Sequence, residues 1–288
     1  MPKETNTLED NTLIRQSLDG DKRALEQLIK RHQTWVFNVA LHLTADAEQA
    51  ADLMQDTLIK VVTNLGKFEQ QSKLRTWIYK IIKNLFINSK RSSKYVQEVV
   101  PWEVFGEGLD NTPDEELTTS FNIEKKLLIE EAKLSCMKSM LLCLTPEQRL
   151  VYVIGELFEM SDVEASEILE ITRVNYRTRL SRAKKQLYSF MHNQCGLINK
   201  SNPCRCARKT VGFIKKGYVD PNHLQFQKNT IARISEVAGS KLQLLENDLN
   251  QQYRALYQSH PYLEPKDRLQ SLKKLLSSET IKKTFDLQ

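Results

Sequence analysis

Between Leu74 and Phe86 the apolar residues Leu74, Trp77, Ile78, Ile81, Ile82, Leu85 and Phe86 recur at i, i+3, i+4 and i+7 without a break. A strand would send alternate residues to opposite faces, whereas this period gathers the apolar set into one stripe of an α-helix, which other helices must cover. Trp77 falls within that stripe and reads as core. Arg75, Tyr79, Lys80, Lys83 and Asn84 fall on the other side, so the helix offers an aromatic, cations and an amide outward. Such a face can grip phosphates and stack on unpaired bases, and by pattern alone a solvated charged face fits it equally well.

The preceding residues repeat the same period. Asp21 is a good N-cap for a helix carrying Ala24, Leu25, Leu28 and Ile29, and a second apolar series, Trp35, Val36, Val39, Ala40 and Leu43, makes the next helix. A further helix from about Ala47 buries Ala50, Leu53, Met54, Leu58 and Val61 and leaves Asp52, Gln55, Asp56 and Lys60 on its polar side. Nine glycines and eight prolines in 288 residues interrupt little of this, and the fold class expected is all-α. No run reaches the ~18 apolar residues of a membrane span, and the first residues lack the layout of a signal peptide. A cytoplasmic protein without membrane attachment is the expectation. Five cysteines, an odd number without an export signal, argue against a disulfide framework.

A net charge of +6 conceals strong segregation. Tyr95 to Lys133 holds ten acidic residues and three basic ones, while Ile171 to Val219 holds twelve Lys and Arg and no Asp or Glu. That division suits an acidic connector beside a module facing nucleic acid. Pro101, Gly106, Gly108 and Pro113 break the helical rhythm of the acidic stretch, which reads as a linker with Val100, Trp102, Val104 and Phe105 docking locally.

Helical pattern then resumes. Thr145 and Pro146 form a cap and first turn, and Ser161 with Glu164 makes a capping box. A short break near Glu170–Thr172 separates the helix of Ala165, Ile168 and Leu169 from one exposing Arg173, Arg177, Arg179, Arg182, Lys184 and Lys185. A short helix, a tight turn and an arginine-rich helix make a helix-turn-helix, whose second helix would enter the major groove.

In order along the chain, AADLMQDTLIKVV (50–62), KLRTWIYKIIKNLFIN (73–88), LTPEQRLVYVI (144–154), MSDVEASEILEI (160–171) and RTRLSRAKKQL (177–187) resemble regions 2 and 4 of sigma-70 family RNA polymerase sigma factors of the extracytoplasmic-function group. The resemblance covers roughly residues 10 to 190. It implies a region 2 helical bundle over 1–94, an acidic linker over 95–130, a region 4 helix-turn-helix over 131–190 and a helical extension over 191–288. It also implies core RNA polymerase and promoter DNA as partners. Asp52, Leu53, Gln55 and Asp56 would dock on the clamp helices of the β′ subunit. Arg75, Trp77, Tyr79, Lys80, Lys83 and Asn84 would hold and open the −10 element. Arg173, Arg177, Arg179 and Arg182 would read the −35 element, in a module that also meets the β flap, and the linker would pass through the RNA-exit region. Such a protein is no enzyme and requires no cofactor, and an anti-sigma factor is a further expected partner.

The chain departs from the family pattern in three places of the second module, one of them Glu164-Ala165-Ser166 where Glu-Ile-Ala is usual. Glu170 stands where a glycine usually makes the turn, and Tyr176 where a small β-branched core residue is usual. Simple members of the group end near residue 190. Here His192, Cys195, Cys204 and Cys206 follow, offering up to four ligands of the type zinc prefers. Structural thiols in a tight Asn-Pro turn are an alternative, as is a redox-responsive cluster with pKa values lowered by Arg205, Arg208 and Lys209. Thr230–Tyr257 and Lys266–Lys283 carry helical pattern.

Three competing classes remain. A helix-turn-helix regulator acting without polymerase has no need of the 73–88 helix. A sigma-like interaction protein would have lost DNA reading through its altered turn. An enzyme would need a nucleophile–base pair, a Gly-rich phosphate loop or a carboxylate pair, and none of these is evident in the sequence.

Overall fold

The computed structural model of the protein describes residues 7–89, 94–95, 98–117 and 124–224. The two helices expected at Thr230–Tyr257 and Lys266–Lys283 lie outside these residues. In chain order the helices are α1 (Thr7–Leu18), α2 (Lys22–Thr44), α3 (Ala47–Thr63), α4 (Leu74–Asn88), α5 (Trp102–Asp110), α6 (Lys125–Leu141), α7 (Pro146–Tyr152), α8 (Asp162–Leu169), α9 (Arg173–Gln194) and α10 (Cys206–Lys215). Among the described residues there is no strand, and the all-α expectation holds. They group into two units, the first holding α1–α4 and α8, the second α5–α7, α9 and α10.

In the first unit α2 packs against α1 and α3, and α3 against α4. Local chemistry sets the boundaries. The Asp21 carboxylate accepts the backbone N–H groups of Arg23 and Ala24 at 2.8 and 3.2 Å, satisfying donors that a helix start leaves open. Ala45 ends α2 in the left-handed conformation (φ 56°), and Asp46 at once caps α3 by accepting the Gln49 N–H at 2.8 Å. Leu28, Trp35, Val36, Val39 and Leu43 of α2 meet Leu53, Met54 and Leu58 of α3 and Ile78, Ile82 and Phe86 of α4 in one buried core. Each such aliphatic side chain contributes about 1.5–3 kcal/mol on burial.

A polar chain threads the edge of this core. Trp35 Nε1 donates to His32 Nδ1 at 2.9 Å, so the imidazole proton sits on Nε2, 3.4 Å from the buried Asp10 carboxylate. Arg31 closes the group, its guanidinium reaching Asp10 at 3.1 Å and Glu9 at 2.6 Å. The exposed Arg31–Glu9 arm contributes little by itself, but together the contacts fix α1 on α2.

In the second unit α7 starts in a capping box between Thr145 and Gln148, with Pro146 at its first position. The buried Arg149 donates to the carbonyls of Leu144 (3.3 Å) and Leu142 (3.5 Å), satisfying the end of α6. Its burial lowers its pKa to about 10. A π-turn, Val153–Leu157, follows α7, and α7 packs against α9.

The stretch read as a linker is more structured than its composition suggested. Trp102 and Phe105 of α5 pack on Phe190, with ring centroids 5.0 and 5.6 Å away. Leu109 and Leu117 join Leu128, Ala132, Phe213 and Val219 in a second apolar cluster. Asp114 pairs with Lys209 at 3.1 Å, Glu115 with Lys215 at 2.6 Å, and the Glu115 N–H donates to the Arg208 carbonyl at 3.0 Å. Over 98–117, therefore, an anchored helix and strap replace the irregular connector. Acidic and basic stretches that are separate in sequence neutralise one another at α10.

Candidate polymerase and nucleic-acid interface

The α4 helix presents its aromatics the opposite way from the sequence expectation. Tyr79, expected on the outer face, is 1 % exposed and lies on Trp35 of α2, ring centroids 4.8 Å apart. Arg75 caps this pair, its guanidinium 5.1 Å from the Trp35 ring and 5.7 Å from the Tyr79 ring. Burial raises the Tyr79 pKa to about 12, against the opposing charge and hydrogen bond of Arg75. Trp77, expected in the core, is half-buried at the rim, packed on Phe68 at 5.3 Å. The apolar stripe is wider than its buried centre, and the helices packed on α4 (α3, α8 and α2) decide which edge is covered. Leu74, Ile78, Tyr79, Ile82 and Phe86 are buried, and Trp77, Ile81 and Leu85 are left at the margin.

Lys80, Lys83 and, from the N-cap, Lys73 are met by carboxylates of α8 and its C-cap in the same unit, and Lys83, expected on the outer face, is itself only 8 % exposed. Lys80 reaches Glu167 at 2.8 Å, Lys83 reaches Glu170 at 2.7 Å, and Lys73 lies 3.6 Å from Glu164. The hydrogen bond and charge of Lys83 hold the Glu170 carboxyl below the usual glutamate range. Asn84 is exposed.

On α3, Asp52 is exposed and Gln55 and Asp56 are half-buried, whereas Leu53 is 0 % exposed. Leu53 thus supports this face from beneath and offers no contact surface, which corrects its expected place among docking residues. Asp56 accepts from Lys94 at 2.7 Å and from the Tyr95 hydroxyl, residues that the sequence reading had not connected with it. Burial first, then the Asp56 carboxylate, raises the Tyr95 pKa to about 12. Only spatial proximity reveals this tie, since no motif spacing links Asp56 with residues 94 and 95.

In the second unit Arg173, Arg177 and Arg182 are exposed along α9. Arg179 is partly exposed and donates to Asn175 Oδ1 at 2.9 Å. Val174 stands 72 % exposed between the arginines. A row of guanidiniums with one apolar side chain among them has the chemistry to hold phosphates and meet a thymine methyl. Inward, Tyr176, Ala183 and Leu187 are buried. Glu170, which precedes α9, is left-handed at φ 57°, so the turn keeps the backbone a glycine would give it.

The cysteines come from separate segments of the second unit. Cys195 and Cys204 form an isolated backbone bridge, Cys206 opens α10, and Cys136 lies on α6, the helix that α10 packs against. His192 is exposed and takes part through its carbonyl, which accepts the side-chain amides of Asn199 (3.3 Å) and Asn202 (2.8 Å). Burial raises all four thiols, Cys206 to about 12, so the lowered pKa values expected of a reactive cluster are absent from this one. Among the described residues no helix is long and apolar enough to cross a membrane.

Comparison with known proteins finds two family regions along the chain. Sigma-70 region 2 matches residues 28–95, spanning most of α2 through α4, and Sigma-70, region 4 matches residues 134–187, from α6 into α9. The chain is 29 % identical over 170 residues to the RNA polymerase sigma factor YlaC of Bacillus subtilis, covering 58 % of this chain and 92 % of that one. It is 25 % identical over 175 residues to the ECF RNA polymerase sigma factor SigW of the same organism, covering 60 % and 92 %. Among solved structures, CnrH in complex with the cytosolic domain of CnrY aligns at a TM-score of 0.45 with 21 % identity, over 64 % of this chain and 97 % of the other. With both family regions present in order, each on the helices that carry its residues, the chain belongs to the sigma-70 family of RNA polymerase sigma factors, in the extracytoplasmic-function group.

Proposed function

We propose that the chain binds core RNA polymerase through the α3 face and directs it to promoters, with α4 at the −10 element and α9 at the −35 element. The observation that carries this reading is the division of labour between two surfaces. An acidic and amide rim, Asp52, Gln55 and Asp56, lies on α3, the helix packed against α4, whose edge carries Trp77, Lys80 and Asn84. In the other unit four arginines lie along one helix.

A promoter must be held as duplex at one end and opened at the other. The α9 arginines suit the first task, which needs phosphate contacts and a few groove-reading side chains. The α4 edge suits the second. Capturing an extruded base offsets an unstacking cost of a few kcal/mol, and Trp77 is the half-buried aromatic placed to do so. Leu53 and Tyr79 serve as the buried supports of the two surfaces. The chain contributes no catalytic group of its own, and nucleotide addition belongs to the polymerase. An anti-sigma factor covering the α3 or α4 face would switch the protein off.

Run-off transcription with purified core polymerase and genomic fragments tests the reading. Expected are holoenzyme formation and discrete transcripts that disappear when the four α9 arginines are replaced by alanine. A chain that binds DNA but never forms holoenzyme would be a helix-turn-helix regulator instead.

A further inference from the structure

Four of the five cysteines converge in the second unit from separate stretches of chain. Cys195 and Cys204 are bridged through their backbones, Cys206 begins α10, and α10 lies along α6, which carries Cys136. Cys136, partly buried, packs at the edge of the apolar cluster formed by Ala132, Phe213 and their neighbours.

The turn between these stretches is closely hydrogen-bonded. The backbone N–H of Ile198 donates to the Cys195 carbonyl at 3.2 Å. The Cys195 carbonyl accepts the Asn199 N–H at 3.0 Å and the Asn202 side-chain amide at 3.3 Å. Arg205 donates to the carbonyls of Lys200 (2.6 Å), Cys204 (3.0 Å) and Asn202. Gly196 permits the closure, because a Cβ there would stand 2.2 Å from the Cys204 carbonyl oxygen and 2.0 Å from the Arg205 guanidinium. The thiolate is the form that binds metal, and a bound ion stabilises it.

The surrounding charge is balanced. Arg205 acts on Cys195, Lys209 on Cys204 and Lys133 on Cys206, so cations from three segments each attend a different cysteine. Asp110 and Asp114 near Cys204, and Glu130 near Cys206, are the opposing carboxylates.

We propose that Cys136, Cys195, Cys204 and Cys206 form a four-thiolate structural site for zinc, with His192 outside it. Zinc favours a closed tetrahedral set of thiolates, at about 2.3 Å from each sulfur. Among the described residues no three such side chains already stand at metal-ligand spacing, so the ion draws neighbouring thiols inward as it binds. The zinc ion displaces the four thiol protons and forms four Zn–S bonds, with no change of oxidation state. Its effect is to staple α10 and the 195–206 turn to α6. The segment beyond α9 thereby becomes a continuation of the second unit.

The test is elemental analysis of the full chain purified without added metal or chelator, followed by replacement of the ion with cobalt(II). Stoichiometric zinc is expected, with strong thiolate-to-cobalt charge-transfer absorption after exchange. Cys136→Ser and Cys204→Ser should each lose the zinc, while His192→Ala and Cys143→Ala keep it. The cobalt spectrum of the unsubstituted chain decides the matter even if the serine variants fail to fold. Protein that purifies without zinc and shows no thiolate–cobalt bands overturns the proposal. So does a Cys136→Ser chain that keeps its zinc while His192→Ala loses it.

Discussion

The Tyr176 hydroxyl fills the space that a side chain on Gly155 would need, because a Cβ at Gly155 would lie 2.2 Å from it. Gly155 sits in the π-turn after α7, and Tyr176 is a buried residue of α9 where the family usually keeps something small. The two residues are matched to each other within one unit. Gly155→Ala should cost about 1–3 kcal/mol by overpacking, and Tyr176→Val about 2–4 kcal/mol through the void it leaves. Combined, they should cost clearly less than their sum, since residues in contact couple by about 0.5–3 kcal/mol. Urea unfolding of the four proteins measures this, and strict additivity would remove the explanation.

Tyr79 and Trp77 separate stability from promoter opening. Tyr79 is buried on Trp35, so Tyr79→Ala should lose about 3–5 kcal/mol and much of the folded population. Trp77, at the rim on Phe68, should tolerate alanine at roughly 1–2 kcal/mol. The Trp77→Ala holoenzyme should still form and bind promoter but fail to expose unpaired thymines to permanganate. Normal permanganate reactivity in that variant would return Trp77 to a packing role.

These two residues also mark how far the sequence could be read. Helical period identified α4 and the burial of Leu74, Ile78, Ile82 and Phe86, because period depends only on backbone geometry. It could not say where the buried face is centred, because α3, α8 and α2 together decide which edge of a wide stripe is covered. Glu170 was visible as a missing glycine, and the backbone is indeed left-handed there. Cys136 was invisible as a site residue. It lies within an ordinary helical pattern, and only the packing of α10 on α6 brings it to the other thiols. The acidic stretch was legible as charge but not as structure, since its ties to Lys209 and Lys215 reach across almost a hundred residues.

On α3 adjacent residues should give opposite phenotypes. Asp52→Ala removes an exposed carboxylate and should leave the melting temperature nearly unchanged while weakening holoenzyme formation about tenfold. Leu53→Ala creates a cavity in the core and should cost about 2–5 kcal/mol. Fluorescence anisotropy against core polymerase, beside thermal unfolding, checks both. Should Asp52→Ala bind as tightly as the parent, the docking surface lies elsewhere.

The Lys83–Glu170 pair predicts a pH dependence that can be worked out by sign. The hydrogen bond and charge of Lys83 lower the Glu170 pKa in the folded protein. A carboxyl depressed on folding contributes stability above its unfolded value, about 4.3, and loses it as pH falls through the lower folded value. Glu170 is largely exposed at its charged end, so the contribution should not exceed ~1 kcal/mol. Glu170→Gln should therefore be slightly less stable than the parent at neutral pH, and the difference should close below about pH 4. The same change frees Lys83, and a cation released from a carboxylate is available to a phosphate. Binding of a single-stranded −10 oligonucleotide should then tighten two- to fivefold at low salt, with a steeper salt dependence. Glu170→Gly tests the backbone as well: relief of the left-handed turn should return roughly 1 kcal/mol, offsetting the lost ion pair. Thermal unfolding between pH 3 and 7 and oligonucleotide anisotropy read these effects. A parent-minus-Gln difference that stays constant through pH 3 would mean that the pair holds no charge-dependent stability.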